Sequence, residues 1–245
     1  MGRPIWILGA VALLTSCGAP APPVPLTVAA AANLTGVFDE VGRAFQAQAG
    51  IPVVFSFGAT AQLAEQIENG APFDLFAAAD TQHIDMLVSA AKLLPATRAV
   101  YALGQLALWA PGGIQDLAGL AGPRIRFVAI AQPSLAPYGQ AAVEALQSAR
   151  LLDAVQPKLV YASTINQTRQ MAESGNADAA FTAYSLVMRE AGTVLKVDRA
   201  LYRPINQAMA IVAGSAKIDA AKRFEQFLLG PQGRAILSKN GYLLP

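Results

Sequence analysis

Short apolar runs alternate with stripes of helical period along nearly the whole chain, and this alternation restricts the fold more than any other feature. Residues 26–32 are apolar and bounded by Pro25 and Asn33, the pattern of a buried strand. Leu34, Val37, Phe38, Val41 and Phe45 then share one helical face, which ends at Gly50. Residues 51–57 read as a second strand, 60–69 as a helix stopped by Gly70, and 73–79 as a third strand. Asp80 stands where the N-cap of a helix over 82–92 belongs. Further strands are predicted at 125–131, 158–162 and 177–183, with helices at 137–148 and 166–174 between them. Helical patterns at 216–229 and 231–239 close the chain.

Strands joined to helices by short connections make doubly wound α/β sheets. Two longer apolar runs, 101–111 (containing Gly104) and 206–212, are candidate crossings between two such sheets. The predicted fold class is therefore α/β with two lobes, each a mixed sheet flanked by helices. The first lobe comprises 26–103 plus 207–245 and the second 104–206, with a ligand cleft between them. No internal repeat is evident.

Length and composition agree with this. The 245 residues suffice for two small lobes, and 54% hydrophobic residues with a net charge of +2 do not suit disorder. No stripe of Lys and Arg is present to neutralise phosphates, so nucleic acid is not an expected partner.

The N-terminus has a separate logic. Arg3 precedes a short apolar run over 4–14, too short for a permanent span but suited to a signal-peptide core. Leu14-Thr15-Ser16-Cys17 then resembles a bacterial lipobox, which would make 1–16 a leader and Cys17 the lipidated first mature residue. Cys17 is the only cysteine, so no intrachain disulfide is possible. Residues 17–25 read as a Pro-rich tether, placing the protein at a membrane surface, outside the cytoplasm. After Leu94 no apolar run is long enough to span a membrane.

Four predicted strand-to-helix joints carry no charge: Ala31-Ala32-Asn33, Gly58-Ala59-Thr60, Ala136-Pro137-Tyr138-Gly139 and Ser163-Thr164-Ile165-Asn166. Each places backbone N–H groups at a helix start, where partial positive charge favours an anion. Asn33 and Thr60 can add side-chain donors, and Pro137 suits a first helical turn. Ordinary capped helices would give the same pattern at any one joint. Donors without cations avoid the cost of burying charge and sort anions by shape and protonation state.

Several segments resemble the periplasmic molybdate-binding proteins. They are Leu26-Thr27-Val28-Ala29-Ala30-Ala31-Ala32-Asn33-Leu34, Phe55-Ser56-Phe57-Gly58-Ala59-Thr60-Ala61-Gln62-Leu63-Ala64, Gln66 to Asp80, and Gly230-Pro231-Gln232-Gly233 with Asn240-Gly241-Tyr242. The resemblance implies a type II periplasmic-binding-protein fold that closes like a hinged trap. It also implies a monomer that delivers molybdate or tungstate to the permease subunits of an ABC importer, without catalysis or a cofactor. By position it implies binding by Asn33 with the backbone of Ala32, by Thr60 with Ala59, and by the backbone N–H groups of Tyr138 and Ile165. Many members of the family have serine at the positions of Asn33 and Thr60, and several use a tyrosine hydroxyl where Ala183 stands here, with Tyr184 one residue later.

Other polar residues read as structural. His83 is the only histidine and is expected on an exposed first turn. Asp74 and Glu68 lack the spacing of a catalytic carboxylate pair. Arg124 and Arg126 are expected at a solvent-facing strand edge. No nucleotide-binding glycine motif or nucleophile elbow occurs.

Overall fold

A computed structural model describes residues 24–245. The leader over 1–16, Cys17 and the tether up to residue 23 lie outside the described residues. Val24 and Pro25 lead into the first strand, and Lys217 Nζ holds the Pro25 carbonyl at 2.8 Å.

The chain runs β1 (Leu26–Ala31), α1 (Val37–Ala49), β2 (Val53–Gly58), α2 (Thr60–Glu68), β3 (Leu75–Ala77), α3 (Gln82–Ser89), β4 (Ala99–Gly104) and β5 (Leu106–Ala110). It continues through β6 (Val128–Ala131), α4 (Pro137–Ser148), α5 (Leu152–Val155), β7 (Leu159–Ala162), α6 (Ile165–Glu173), β8 (Ala179–Ala183), α7 (Tyr184–Val187) and β9 (Thr193–Lys196). It ends with β10 (Ile205–Ile211), α8 (Ile218–Leu229) and α9 (Pro231–Lys239). No described helix is long and apolar enough to cross a membrane.

The strands form two five-stranded sheets, ordered β2-β1-β3-β10-β4 and β7-β6-β8-β5-β9. In each sheet the first three strands are parallel and the fourth is antiparallel to its neighbours. The two sheets thus repeat one pairing scheme, which the sequence does not reveal because the segments share a topology rather than a motif.

The run over 101–111 splits as a crossing requires. β4 ends in the first sheet at Gly104, and β5 opens the second sheet after the single residue Gln105. β10 makes the return at Ile205. Gly104 is required there by space: a Cβ would lie 2.2 Å from Tyr138 Oη and 2.7 Å from Gln207 Nε2.

Two local expectations need correction. The helix over 82–92 stops at Ser89, because Ala91 adopts φ 54° and turns the chain toward β4. The helix predicted from Leu34 starts at Val37 instead. Ala32–Leu34 forms one 3-10 turn, and Gly36, at φ 83°, resets the direction before α1. β9, α5 and α7 had no sequence counterpart, being four residues each and too short to show a period.

The first sheet is packed from below by α1, α8 and α9. Phe38, Phe45, Phe55 and Phe224 interlock there with ring centroids 5.2–6.2 Å apart. Each fully buried ring contributes about 1.5–3 kcal/mol. This cluster ties the C-terminal helices to the lobe begun by β1, and so fixes the frame on which the joints after β1 and β2 sit.

Candidate functional site

The C-terminal ends of β1, β2, β6 and β7 point toward the space between the sheets, where ligands in such folds sit. A small, partly open cavity lies there, with a volume of about 10 Å³. Ala31, Ala32, Asn33, Gly58, Ala59, Thr60 and Ala79 line it from the first lobe. Ala136, Pro137, Tyr138 and Ile165 line it from the second. All six residues singled out for oxyanion binding therefore line one small cavity. Its volume lies below the ~300–1,000 Å³ of pockets for organic ligands, and no lining residue carries a charge.

Local chemistry decides which donors are free. Thr60 is the first residue of α2, and its hydroxyl accepts the Ala79 N–H at 3.2 Å. That bond uses a lone pair and leaves the hydroxyl proton to donate. The neighbouring Ala61 N–H is committed across the cleft to the Leu135 carbonyl at 3.2 Å. Tyr138 is the second residue of α4, behind Pro137, where a backbone N–H has no intrahelical acceptor. Gly139 permits this placement, since a Cβ there would lie 2.1 Å from the Ala131 carbonyl at the end of β6.

Ile165 opens α6 behind a capping box. Thr164 Oγ1 accepts from Gln167 N, and Gln167 Oε1 accepts from the backbones of Ser163 and Thr164. The Thr164 hydroxyl is thus spent on the helix, and the Ile165 N–H remains at the cavity wall.

The first joint differs from its expectation. Ala32 and Asn33 sit in the short 3-10 turn, which supplies far less dipole than an α-helix start. The Asn33 side chain faces a buried polar network: its Nδ2 donates to Gln207 Oε1 and Tyr242 Oη, each at 3.0 Å. Tyr242 returns a hydrogen bond to the Asn33 carbonyl at 2.6 Å and accepts one from Ser185 Oγ at 3.0 Å. Gln207 Nε2 donates to Tyr138 Oη, and the Tyr101 hydroxyl lies 3.0 Å from Gln207 Oε1. Burial pushes the Tyr101 and Tyr138 hydroxyls well above the ordinary phenol range, with the neighbouring phenols adding to the shift. Burial also pushes Tyr242 up to about 12, against hydrogen bonds to Ser185 and Asn33. All three phenols therefore stay neutral, and none places a negative charge behind the cavity.

Gln207, Tyr242, Tyr101 and Ser185 were absent from the predicted site. The signal for Gln207 was a lone amide inside the apolar stretch that forms β10, and its side chain is fully buried. Tyr184 does not line the cavity. Its ring lies under Lys196 Nζ at 4.4 Å, while Ala183 is buried at the end of β8.

A larger open groove adjoins the cavity through Ala79, Ala136 and Pro137. It contains Asp80 with His83, whose Nδ1 lies 2.8 Å from the Asp80 carboxylate, and Glu144 paired with Arg203. Two carboxylates make it a poor seat for an anion and suit a mouth to the cavity. Asp80 also accepts the His83 N–H at 3.0 Å, although the N-cap of α3 is Thr81, one residue after the predicted position. His83 is only about one-fifth exposed, less than expected, because Asp80 and the groove wall cover it. Arg126 pairs loosely with Asp178 at 3.9 Å, away from the cavity. Asp74 is structural: burial opposes its charge, but the Thr27 N–H, the Ser215 hydroxyl and Lys217 outweigh it and lower its pKa.

Comparison with known proteins places this geometry. The family model for bacterial extracellular solute-binding proteins matches residues 26–243. The chain is 35% identical over 237 residues to the molybdate-binding protein ModA of Rhodobacter capsulatus, covering 96% of this chain and 94% of that one. The chain belongs to the bacterial extracellular solute-binding proteins, in the ModA family. Among solved structures, the periplasmic molybdate-binding protein of Azotobacter vinelandii superimposes on this solute-binding protein with a TM-score of 0.86 at 33% identity. That match covers 90% of this chain and 99% of the other. The fold is thus the two-lobed type II architecture. The sulfate-binding protein SubI of Mycobacterium tuberculosis shares the fold at 20% identity, with a TM-score of 0.74 and coverage of 89% of this chain and 86% of that one.

Proposed function

We propose that this protein captures molybdate or tungstate outside the cytoplasm and delivers it to the permease subunits of an ABC importer. The observation that carries this reading is the small, uncharged cavity between the sheets whose lining comes from both lobes. Its ligand contacts in this reading are the Thr60 hydroxyl and the backbone N–H groups of Asn33, Thr60, Tyr138 and Ile165, with Ala32 and Ala59 shaping the wall. An oxyanion bridging the joints would draw the lobes together, so binding and closure are one event. The single-residue link at Gln105 and the return into β10 at Ile205 form the hinge on which the lobes move. We divide the chain accordingly into a first lobe of both chain ends and a second lobe between them.

The cavity also favours a fully deprotonated dianion. Its lining offers no carboxylate or imidazole to accept a proton from a ligand such as hydrogen phosphate. Sulfate shares the charge of molybdate and differs in size, so the choice between them rests on the similarity to the molybdate-binding relatives. Neither a resident cofactor nor catalysis is part of this reading: the cavity wall holds Thr60 as its only hydroxyl side chain besides Tyr138, with no base beside it. In this reading Cys17 carries the lipid that holds the monomer at the membrane.

A thermal-shift screen with sodium molybdate, tungstate, sulfate and phosphate tests the proposal. Saturation at 100-fold over Kd adds about 2.7 kcal/mol to the folded state. Molybdate and tungstate should raise Tm most and phosphate least. No rise with any of the four would refute the reading.

A further inference from the structure

We infer that Tyr242 is a positioning residue of the anion site: its hydroxyl, tied to Ser185 of the second lobe, aims the Asn33 backbone N–H at the cavity. The inference rests on the anion reading above and concerns what holds one of its donors in place.

The joints after β2, β6 and β7 lead into α-helices, whose hydrogen-bonded turns fix the N–H groups at their starts. The joint after β1 lacks that support. Ala32–Leu34 is a single 3-10 turn closed by Thr35, whose N–H and hydroxyl both go to the Ala32 carbonyl, at 3.3 and 2.9 Å. Gly36 then takes φ 83° before α1 begins at Val37, so the helix does not continue the turn. Thr35 thus grips the peptide plane that carries the Asn33 N–H, and the next plane, which carries the Asn33 carbonyl, must be held from elsewhere.

Two hydroxyls hold it. Tyr242 Oη lies 2.6 Å from the Asn33 carbonyl oxygen, and Ser185 Oγ lies 3.4 Å from it. A carbonyl only accepts, so the phenol donates to it. Ser185 Oγ, 3.0 Å from Tyr242 Oη, then donates to the phenol. With both planes gripped, the turn cannot rotate about Asn33 and its N–H keeps one direction.

Tyr242 is well placed to act as a fixed point. The Leu243 N–H and carbonyl pair with the backbone of Leu103 in β4, at 3.0 and 2.8 Å, and Gln105 donates to the Gly241 carbonyl at 2.7 Å. The segment before Tyr242 also packs on α7, where a Cβ at Gly241 would lie 2.9 Å from the Tyr184 ring. Ser185 lies in α7, after β8 of the second sheet, whereas Tyr242 follows α9 on the first. The pair therefore sets the Asn33 turn relative to the second lobe, which supplies the Tyr138 and Ile165 donors. Tyr242 itself is 3% exposed and does not line the cavity, so its hydroxyl reaches an anion only through Asn33.

Tyr242→Phe keeps the ring and removes the hydroxyl. Calorimetric titration of the full protein with sodium molybdate should show affinity lower by about three- to tenfold, the scale of one buried hydrogen bond, because ordering of the turn is then drawn from binding. Proton–nitrogen spectra separate positioning from general stability. The downfield shift that molybdate induces in the Asn33 amide proton should shrink in Tyr242→Phe, while the induced shifts of Tyr138 and Ile165 persist. Ser185→Ala, which leaves the Tyr242–Asn33 bond in place and removes only its tie to the second lobe, should shrink the same shift and serves if Tyr242→Phe does not fold. An affinity of Tyr242→Phe within about twofold of the parent, or an undiminished Asn33 shift in either folded variant, would overturn the inference and leave the functional reading intact. Failure of the parent protein to bind molybdate would overturn the functional reading, and this inference with it.

Discussion

Replacing Thr60 by valine keeps the volume of the side chain and removes only its hydroxyl, so two effects can be separated. The hydroxyl lies at the cavity wall, is 2% exposed, and accepts the Ala79 N–H at 3.2 Å. Loss of that acceptor leaves a buried N–H unpaired, whether the ligand is present or not. This should lower stability by about 1–3 kcal/mol and leave affinity alone. Loss of the donor acts only when the dianion is bound. A hydrogen bond to a charged group contributes about 1.5–3 kcal/mol, so molybdate affinity should fall by roughly 10- to 150-fold. Denaturant melts of the free protein report the first effect, and isothermal titration with molybdate reports the second. Thr60→Ser restores the hydroxyl and should return most of the affinity. Thr60→Val binding molybdate within about twofold of the parent would refute the assignment, because a lost charge-assisted bond costs more than that.

The other outcomes concern the frame around the cavity. Gly104→Ala places a Cβ against Tyr138 Oη and Gln207 Nε2, and should cost about 1–3 kcal/mol by overpacking, read as a lower Tm. Gly139→Ala drives a Cβ to within 2.1 Å of the Ala131 carbonyl, so α4 must lift from β6. Both stability and affinity should drop there, and calorimetry with and without molybdate checks it. Asp74 has a lowered pKa in the folded protein, so its stabilising contribution is complete above the ordinary carboxylate value. That contribution is lost as pH falls through the lowered value, and a series of urea midpoints from pH 7 down to 3 should show it. Asp74→Asn should cost about 2–3 kcal/mol at neutral pH, the scale of bonds to a charged group, and flatten the acid limb of that series.

Much of this architecture can be read from periodicity. β1, β2 and α2 each have an apolar pattern ended by Asn or Gly, α4 opens at Pro137, and the joints lie within a residue or two of their predicted places. The crossings were visible as apolar runs of unusual length, one of them carrying Gly104. The turn at Ala32–Leu34 was not legible, because Leu34 continues the helical stripe of α1 and only the positive φ of Gly36 interrupts it. The roles of Gln207 and Tyr242 were hidden for another reason. They reach Asn33 from 174 and 209 residues away, and no local pattern encodes a contact at that separation. Thr164 is a different case, since its capping partner Gln167 lies only three residues on, a spacing that local sequence does encode.

The proposed seat of the oxyanion is the uncharged cavity between the lobes. A crystal structure with bound molybdate, phased or checked at the molybdenum absorption edge, tests it most directly. A single anomalous peak is expected, enclosed by Asn33, Thr60, Tyr138 and Ile165, with the Thr60 hydroxyl and the Tyr138 and Ile165 N–H groups within hydrogen-bonding distance of the anion's oxygens. A peak in the open groove beside His83 and Arg203, or none at saturating molybdate, would contradict it.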